Sequence, residues 1–309
     1  MLRNPMCATC IINTREYKYT LSIDRRRATM EKTSQLFRKK SFVAITGGSK
    51  GLGRCMALKF AAMFPPNSVL VLMARNVDAM EIVRTEIITL TPNITVIIRQ
   101  YDQGKTDQGY FDDIFDSVLS ENKITKGDFE QVMLVHNCAS TGDKDRTGLQ
   151  HCDGDRVRSY FDINLCGTIL LNSSFFKTFY DPSQSRVIIN MSSGAGRLPT
   201  PSLSLYGTGK AARDMFFRVL STEEPSVRIL TFSPGAVDTV MLQDIEENTA
   251  SHGLRKVITG LRDDGKLLTP EAAVDNLVDI LQAKTFKNEE YIDDHYKLYQ
   301  KYREEYLNE

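Results

Sequence analysis

Three side chains between Ser192 and Lys210 have the types and spacing to do proton chemistry together. Tyr206 and Lys210 stand four apart, so on a helix they project from one face. A phenol is a poor acid near neutrality, with an ordinary pKa of about 10. A lysine ammonium close by stabilises the phenolate and lowers that value, which makes the phenol a competent proton donor. Ser193 lies thirteen residues before the tyrosine, just past the apolar run Val187-Ile188-Ile189, which reads as a buried parallel strand. From a strand end its hydroxyl can hold a carbonyl oxygen within reach of Tyr206. A Tyr-x-x-x-Lys pair alone occurs on many solvated helices. Joined to a strand-end serine and a glycine-rich turn far upstream, it becomes a candidate catalytic constellation.

The turn follows the first predicted strand, Phe42-Val43-Ala44-Ile45, and reads Thr46-Gly47-Gly48-Ser49-Lys50-Gly51-Leu52-Gly53. Glycines there let the backbone approach a pyrophosphate seated on the N-terminus of the next helix. That helix is predicted over Gly51–Phe64, with Leu52, Met56 and Phe60 on one face and a stop at Pro65-Pro66. A second strand, Val69–Met73, ends in Ala74-Arg75-Asn76. An enzyme that uses NAD places a carboxylate there for the ribose 2′-hydroxyl. Arg75 suits a 2′-phosphate instead, and Lys50 and Arg54 can add to the same anion site, so the cofactor is read as NADP(H).

The alternation continues through a strand at Thr95–Tyr101, followed by Asp102, which can accept from an adenine amino group. A fourth strand, Val132–Val135, ends in His136-Asn137-Cys138-Ala139, and one long helix over Asp155–Phe179 carries Asn164. Strands at Ser185–Met191 and Val227–Phe232 flank a helix at Leu203–Ser221. Its apolar stripe Ala212, Met215, Phe216 and Val219 is predicted to pack on the sheet or on a partner subunit. Ser233-Pro234-Gly235 closes the sixth strand, and a short last strand covers Tyr291-Ile292. The expected fold is α/β: a single doubly wound Rossmann-type domain over residues 41–296, with a parallel sheet of about seven strands and a ligand crevice at their carboxyl ends.

Composition limits the alternatives. The 309 residues carry 39 basic and 39 acidic side chains, so net charge gives no nucleic-acid footprint. No apolar run approaches the roughly 18 residues of a spanning helix, so no membrane partner is expected. Residues 1–40 hold ten of the basic side chains and three of the acidic ones, and read as a basic, disordered extension. Glu16, Asp24 and Glu31 count against a mitochondrial presequence, and Met30 is an alternative start. Cys7 and Cys10 have metal-like spacing but no second ligand pair, so no metal site is expected. The other cysteines are scattered, as reduced thiols in a cytoplasmic protein would be. Residues 297–309 read as a charged surface helix.

Thr46-Gly47-x3-Gly51-x-Gly53, Asn164, Ser193, Tyr206-x3-Lys210 and Pro234-Gly235-x3-Thr239 resemble the short-chain dehydrogenase/reductase family in content, order and spacing. The resemblance implies that Tyr206 is the general acid in carbonyl reduction, that Ser193 orients the carbonyl, and that Lys210 binds the nicotinamide ribose and lowers the tyrosine pKa. It implies that Asn164 holds a relay water. The cofactor contacts it implies extend over Gly47, Ser49, Lys50, Gly51, Leu52, Gly53, Arg75, Asn76, Asp102, Asn137, Pro234, Gly235, Val237 and Thr239.

Gly207–Met215, Glu223–Arg228 and Ser233–Val240 resemble the pterin-reducing branch of the family. That branch implies a cytosolic homodimer acting on the side-chain carbonyls of a pterin, with Ser193, Tyr206 and Gly235 at the substrate and Asp293 anchoring its ring. Asp294 is the rival for a one-residue register error. A diketone is the alternative substrate, for a broad-specificity carbonyl reductase; a non-catalytic NADP-binding regulator is a third reading. Two departures stand out. Ala139 replaces a family glycine expected to need positive φ, which bears on cofactor fit. Arg197–Leu205 offers no aromatic ring for a pterin to stack on.

Overall fold

The computed structural model describes residues 35–283, 288, 290–293 and 295–306, all within one compact unit. Cys7, Cys10, Met30, Asp294 and the expected extension up to residue 34 lie outside the described residues. Strands β1 (Ser41–Thr46), β2 (Val69–Ala74), β3 (Thr95–Gln100), β4 (Gln131–His136), β5 (Ser185–Met191), β6 (Val227–Ser233) and β7 (Glu290–Asp293) form one sheet. Its order is β3-β2-β1-β4-β5-β6-β7, and every pairing is parallel.

Parallel strands need crossovers, which bury the sheet on both faces. In β1 the period of two divides the side chains cleanly. Val43 and Ile45 join one core with Met56 and Phe60, while Phe42 and Ala44 join the other with Phe115 and Phe175. Helices α1 (Gly51–Met63), α2 (Val77–Leu90), α3 (Gln108–Asp112), α4 (Ile114–Glu121), α5 (Gly154–Phe161), α6 (Gly167–Thr178) and α7 (Ser204–Glu223) supply the crossovers of the first six strands. Helices α8 (Val240–Asn248), α9 (His252–Asp263), α10 (Pro270–Gln282) and α11 (Tyr296–Tyr306) follow β6, with β7 between the last two.

Several elements depart from the sequence reading. A 3-10 turn at Gln35–Arg38 places Leu36 and Phe37 in the core, so the folded part begins before residue 41. The helix expected over 155–179 is interrupted by a π turn, Asp162–Cys166, in which the Gly167 N–H reaches back to the Asp162 carbonyl. Of the stripe expected to pack on the sheet or on a partner subunit, Phe216 packs on the core and the rest is turned outward. Met215 is 52% and Val219 45% exposed, and the inward face of α7 is Tyr206, Lys210, Arg213, Asp214 and Phe217. α11 is helical as predicted, but Tyr302 is buried against α9.

Candidate active site

The crevice opens where strand order reverses, between β1 and β4. The Thr46 hydroxyl ties the two strand ends: it donates to the Val135 carbonyl at 3.1 Å and accepts the Asn137 and Cys138 N–H groups, each at 3.0 Å. Asn137 turns its own amide to the Thr46 carbonyl at 2.9 Å, so its side chain shapes the turn. Gly47 sits at φ +69°, and a Cβ on Gly53 would stand 2.1 Å from the Gly47 carbonyl oxygen. Only glycine lets α1 start this close beneath the turn. Lys50 occupies the N-cap position of α1 with no side-chain cap, leaving the first helical N–H groups for an anion. The turn therefore fits a dinucleotide pyrophosphate.

Around it, Ser49 is half-buried, and Leu52 packs on the core as an anchor for α1. Arg75 is exposed just past β2, the position for a 2′-phosphate. Two neighbours are committed elsewhere: Asn76 caps α2 by accepting the Ala79 N–H at 2.9 Å, and Arg54 pairs with Glu86 at 2.5 Å. Asp102 lies past β3 and accepts the Gly104 N–H at 3.0 Å. On the far side, Thr239 caps α8, and its methyl would lie 4.0 Å from a Cβ on Gly51, so the loop after β6 faces the glycine turn. Pro234 is buried, Val237 is held by a parallel bridge to Leu268, and Gly235 packs on His295. Ala139 is not among the residues with positive φ, so the backbone there needs no glycine.

Tyr206 is buried, and its phenol faces the Ser193 hydroxyl, which favours the phenolate. This meeting depends on Gly207, where a Cβ would stand 2.6 Å from the Ala195 carbonyl oxygen. Lys210 donates from Nζ to the Met191 carbonyl at 2.6 Å and lies 5.5 Å from the Tyr206 ring centroid. Burial raises the Tyr206 phenol above its ordinary value, opposed by the Ser193 hydroxyl and the Arg213 cation. Burial, with Arg213 second, pushes Lys210 down to about 7. The Arg213 cation, which the spacing did not reveal, therefore also pulls on the phenol. Asn164 lies within the π turn, with Oδ1 accepting the Ser140 N–H at 2.8 Å and Nδ2 donating to the Tyr160 carbonyl at 2.9 Å. Its side chain thus ties the segment after β4 to the helix.

Sequence reasoning missed the buried network behind these residues. Arg213 donates to the His136 carbonyl and to Asn190 Oδ1, each at 2.8 Å, and to the Cys138 carbonyl at 3.3 Å. Asp214 accepts from Asn190 at 2.9 Å and from Ser192 at 2.7 Å. The signal was available: the two residues follow Lys210 by three and four, on the same helix face. Also missed was an apolar wall, Leu203, Ile245, Leu254 and Ile258, which packs with Tyr206 and is aliphatic throughout.

Asp293 ends β7 in register with Ser233. Its Oδ2 would lie 3.4 Å from a Cβ on Gly194, so the carboxylate stands beside the serine's loop. Oδ1 accepts the His295 N–H at 3.1 Å, Oδ2 accepts from the Tyr291 hydroxyl at 3.3 Å, and burial raises the acid's pKa. The Arg197 guanidinium stacks 3.5 Å above the Tyr291 ring.

A doubly wound sheet with this crevice and this tyrosine, lysine and serine defines a dinucleotide-dependent oxidoreductase. The sequence profile of the short chain dehydrogenase family matches residues 41–250, and the chain belongs to that family. It is 34% identical to sepiapterin reductase of Bos taurus over 255 residues, covering 82% of this chain and 94% of that one. A benzil reductase ((S)-benzoin forming) of Bacillus cereus is 26% identical, over 81% of this chain and 98% of its own. The crystal structure of the KRED1-Pglu enzyme superposes with a TM-score of 0.67 at 23% identity, over 82% of this chain and all of the other, and shares its fold. The chain is an NADP(H)-dependent oxidoreductase of the sepiapterin reductase-like kind.

Proposed function

We propose that this chain reduces the side-chain carbonyls of a pterin, as a sepiapterin reductase in tetrahydrobiopterin synthesis, and does so as a cytoplasmic homodimer. The observation that carries the pterin reading is Asp293, a half-buried carboxylate beside the loop of the candidate catalytic serine. A pterin presents a 2-amino group and an adjacent ring N–H, a donor pair that matches one carboxylate. A carboxylate has about four acceptor positions, so it can take those donors besides the protein groups already on it. Such a pairing fixes the distance from the side-chain carbonyl to Tyr206. The 34% identity to a sepiapterin reductase over most of both chains supports the same substrate. The stripe of α7 left exposed at Met215 and Val219 suits a second copy of the chain.

In this reading Ser193 holds the substrate carbonyl oxygen and Tyr206 delivers its phenol proton to that oxygen. Lys210, braced on Met191, faces the nicotinamide ribose. Ser49, Gly51, Leu52 and Gly53 seat the pyrophosphate, Arg75 and Lys50 the 2′-phosphate, and Asp102 the adenine. Val237 and Thr239 hold the carboxamide. Asn137 and Asn76 act by fixing the backbone of their segments. NADPH, when bound, supplies the hydride.

The test follows NADPH oxidation with sepiapterin and with butanedione, before and after Asp293→Asn. The substitution should lower kcat/KM for sepiapterin by roughly ten- to a hundred-fold, the loss of one charge-assisted pairing, and leave butanedione unchanged. An unchanged ratio rejects Asp293 as anchor. An unmodified protein inert toward sepiapterin but active on diketones moves the reading to a general carbonyl reductase.

A further inference from the structure

The aliphatic wall beside Tyr206 has two supports, and one helix holds both. Leu254 and Ile258 come from α9, whose opposite side carries Val257 and Leu261. Against those pack Tyr302 and the rest of the aromatic face of α11. A Cβ on Gly260 would stand 3.4 Å from the Tyr302 ring, and the Tyr302 hydroxyl donates to the Asp264 carboxylate. The other support is the loop that leads from Ser193 to Leu203. Arg303 of α11 donates to its Pro199 carbonyl, and the Tyr299 phenol faces the Thr200 side chain closely enough for that hydroxyl to favour its ionised form. Thr200 is buried, and its carbonyl accepts the Leu203 N–H at 3.1 Å, which carries the restraint directly to the wall. The same helix begins three residues after Asp293, whose carboxylate accepts the His295 N–H.

We propose that α11 is a brace that sets the width of the substrate pocket, with Arg303 and Tyr299 as positioning residues that select for bulky, ring-bearing ketones over small diketones. The proposal rests on the substrate side of the site as described above. The polar contacts of both residues run to the 197–203 loop, whereas the glycine turn and Arg75 of the cofactor crevice belong to β1, α1 and the end of β2. Loosening α11 lets the 197–203 loop and α9 separate. A large substrate, held by contact with both walls, then loses its near-attack position. A small diketone, which fills neither wall, loses little.

The experiment compares the unmodified full chain with Arg303→Ala/Tyr299→Phe and with Arg303→Lys. It measures kcat/KM for sepiapterin, benzil and butanedione with NADPH, and KM for NADPH. The double substitution should lower the ratio of the bulkiest ketone turned over to butanedione roughly tenfold, mainly through KM. Arg303→Lys should retain part of the ratio, and KM for NADPH should stay within about twofold. An unchanged ratio overturns the proposal. So does an equal loss on all ketones together with NADPH, which is the mark of general destabilisation. Should the double variant not fold, Tyr299→Phe alone, which deletes one hydroxyl, is judged by the same ratio. Sepiapterin inert with the unmodified protein sinks the pterin reading but not the brace, which the benzil ratio then decides.

Discussion

Lys210 Nζ donates to the Met191 carbonyl at 2.6 Å, so the lysine of α7 leans on the strand end that also carries Ser193. Helix and strand are thus locked two residues from the serine, and Tyr206 is aimed by the same contact. Tyr206→Phe keeps the ring and its packing but deletes the proton, so kcat should fall by about 10²–10⁴ with KM for NADPH little changed. Lys210→Met should damage both, because the brace and the ribose contact go together. Steady-state kinetics of the two variants check this. Near-normal turnover in Tyr206→Phe means the proton comes from another group.

Arg75 is exposed past β2 while Arg54 is held by Glu86, so Arg75 is the better placed of the two guanidinium groups to discriminate the cofactor. A charge-assisted bond to a 2′-phosphate contributes about 1.5–3 kcal/mol, equivalent to a roughly ten- to hundred-fold preference for NADPH. Arg75→Asp should abolish or invert the ratio of kcat/KM for NADPH and NADH, whereas Arg54→Ala should leave it within about threefold. Equal use of both cofactors by the unmodified protein contradicts the assignment.

What could be read from the chain follows from where each signal lies. The glycine turn, Arg75 and the tyrosine–lysine pair are local patterns whose partner is a ligand or the next turn of helix, and all were legible. Arg213 shares the helix face of Lys210, a signal that was there to read, but its partners, carbonyls at and after the end of β4 and an amide on β5, are brought together only by the sheet. The π turn at Asn164 is one residue of slack in a helix and leaves no compositional mark. The register that sets Asp293 opposite Ser233 and its carboxylate beside Gly194 had no local signal in the sequence. Which of the two surfaces the α7 stripe meets was not legible, because charged residues take part of the inward face there, against the usual preference.

His136 is fully buried beside Phe217, and burial, with Arg213 adding to it, lowers its pKa to about 3. An unfolded histidine titrates near about 6.5. Between those values the unfolded chain takes up a proton that the folded one refuses, so stability rises with pH across that window and is lost as pH falls through it. At pH 5 the loss relative to pH 8 should be about 2 kcal/mol from this residue. Urea unfolding at both pH values measures it. His136→Gln should be less stable at pH 8 but show a flatter dependence, and an identical slope in the variant would assign the acid lability to other groups.

Among the described residues Arg213 is the largest fully buried side chain, and its cation acts on both Tyr206 and Lys210. Its planar fork satisfies carbonyls after β4 and Asn190 at once, a geometry lysine cannot reproduce. Arg213→Lys keeps the charge and loses the fork, which should cost about 1–3 kcal/mol of stability. Arg213→Met removes the charge as well and leaves the His136 carbonyl and Asn190 Oδ1 without their buried donor, which should cost more than the lysine substitution does. The two also differ in their pH profiles. Reduction needs the protonated phenol, so kcat/KM falls where Tyr206 ionises. Without the Arg213 cation the phenolate is less stable, and that basic limb should move to higher pH in Arg213→Met but stay near its place in Arg213→Lys. Urea midpoints separate the fork from the charge, and the pH profiles test the charge alone. A basic limb that does not move in Arg213→Met would confine Arg213 to holding the strand ends together.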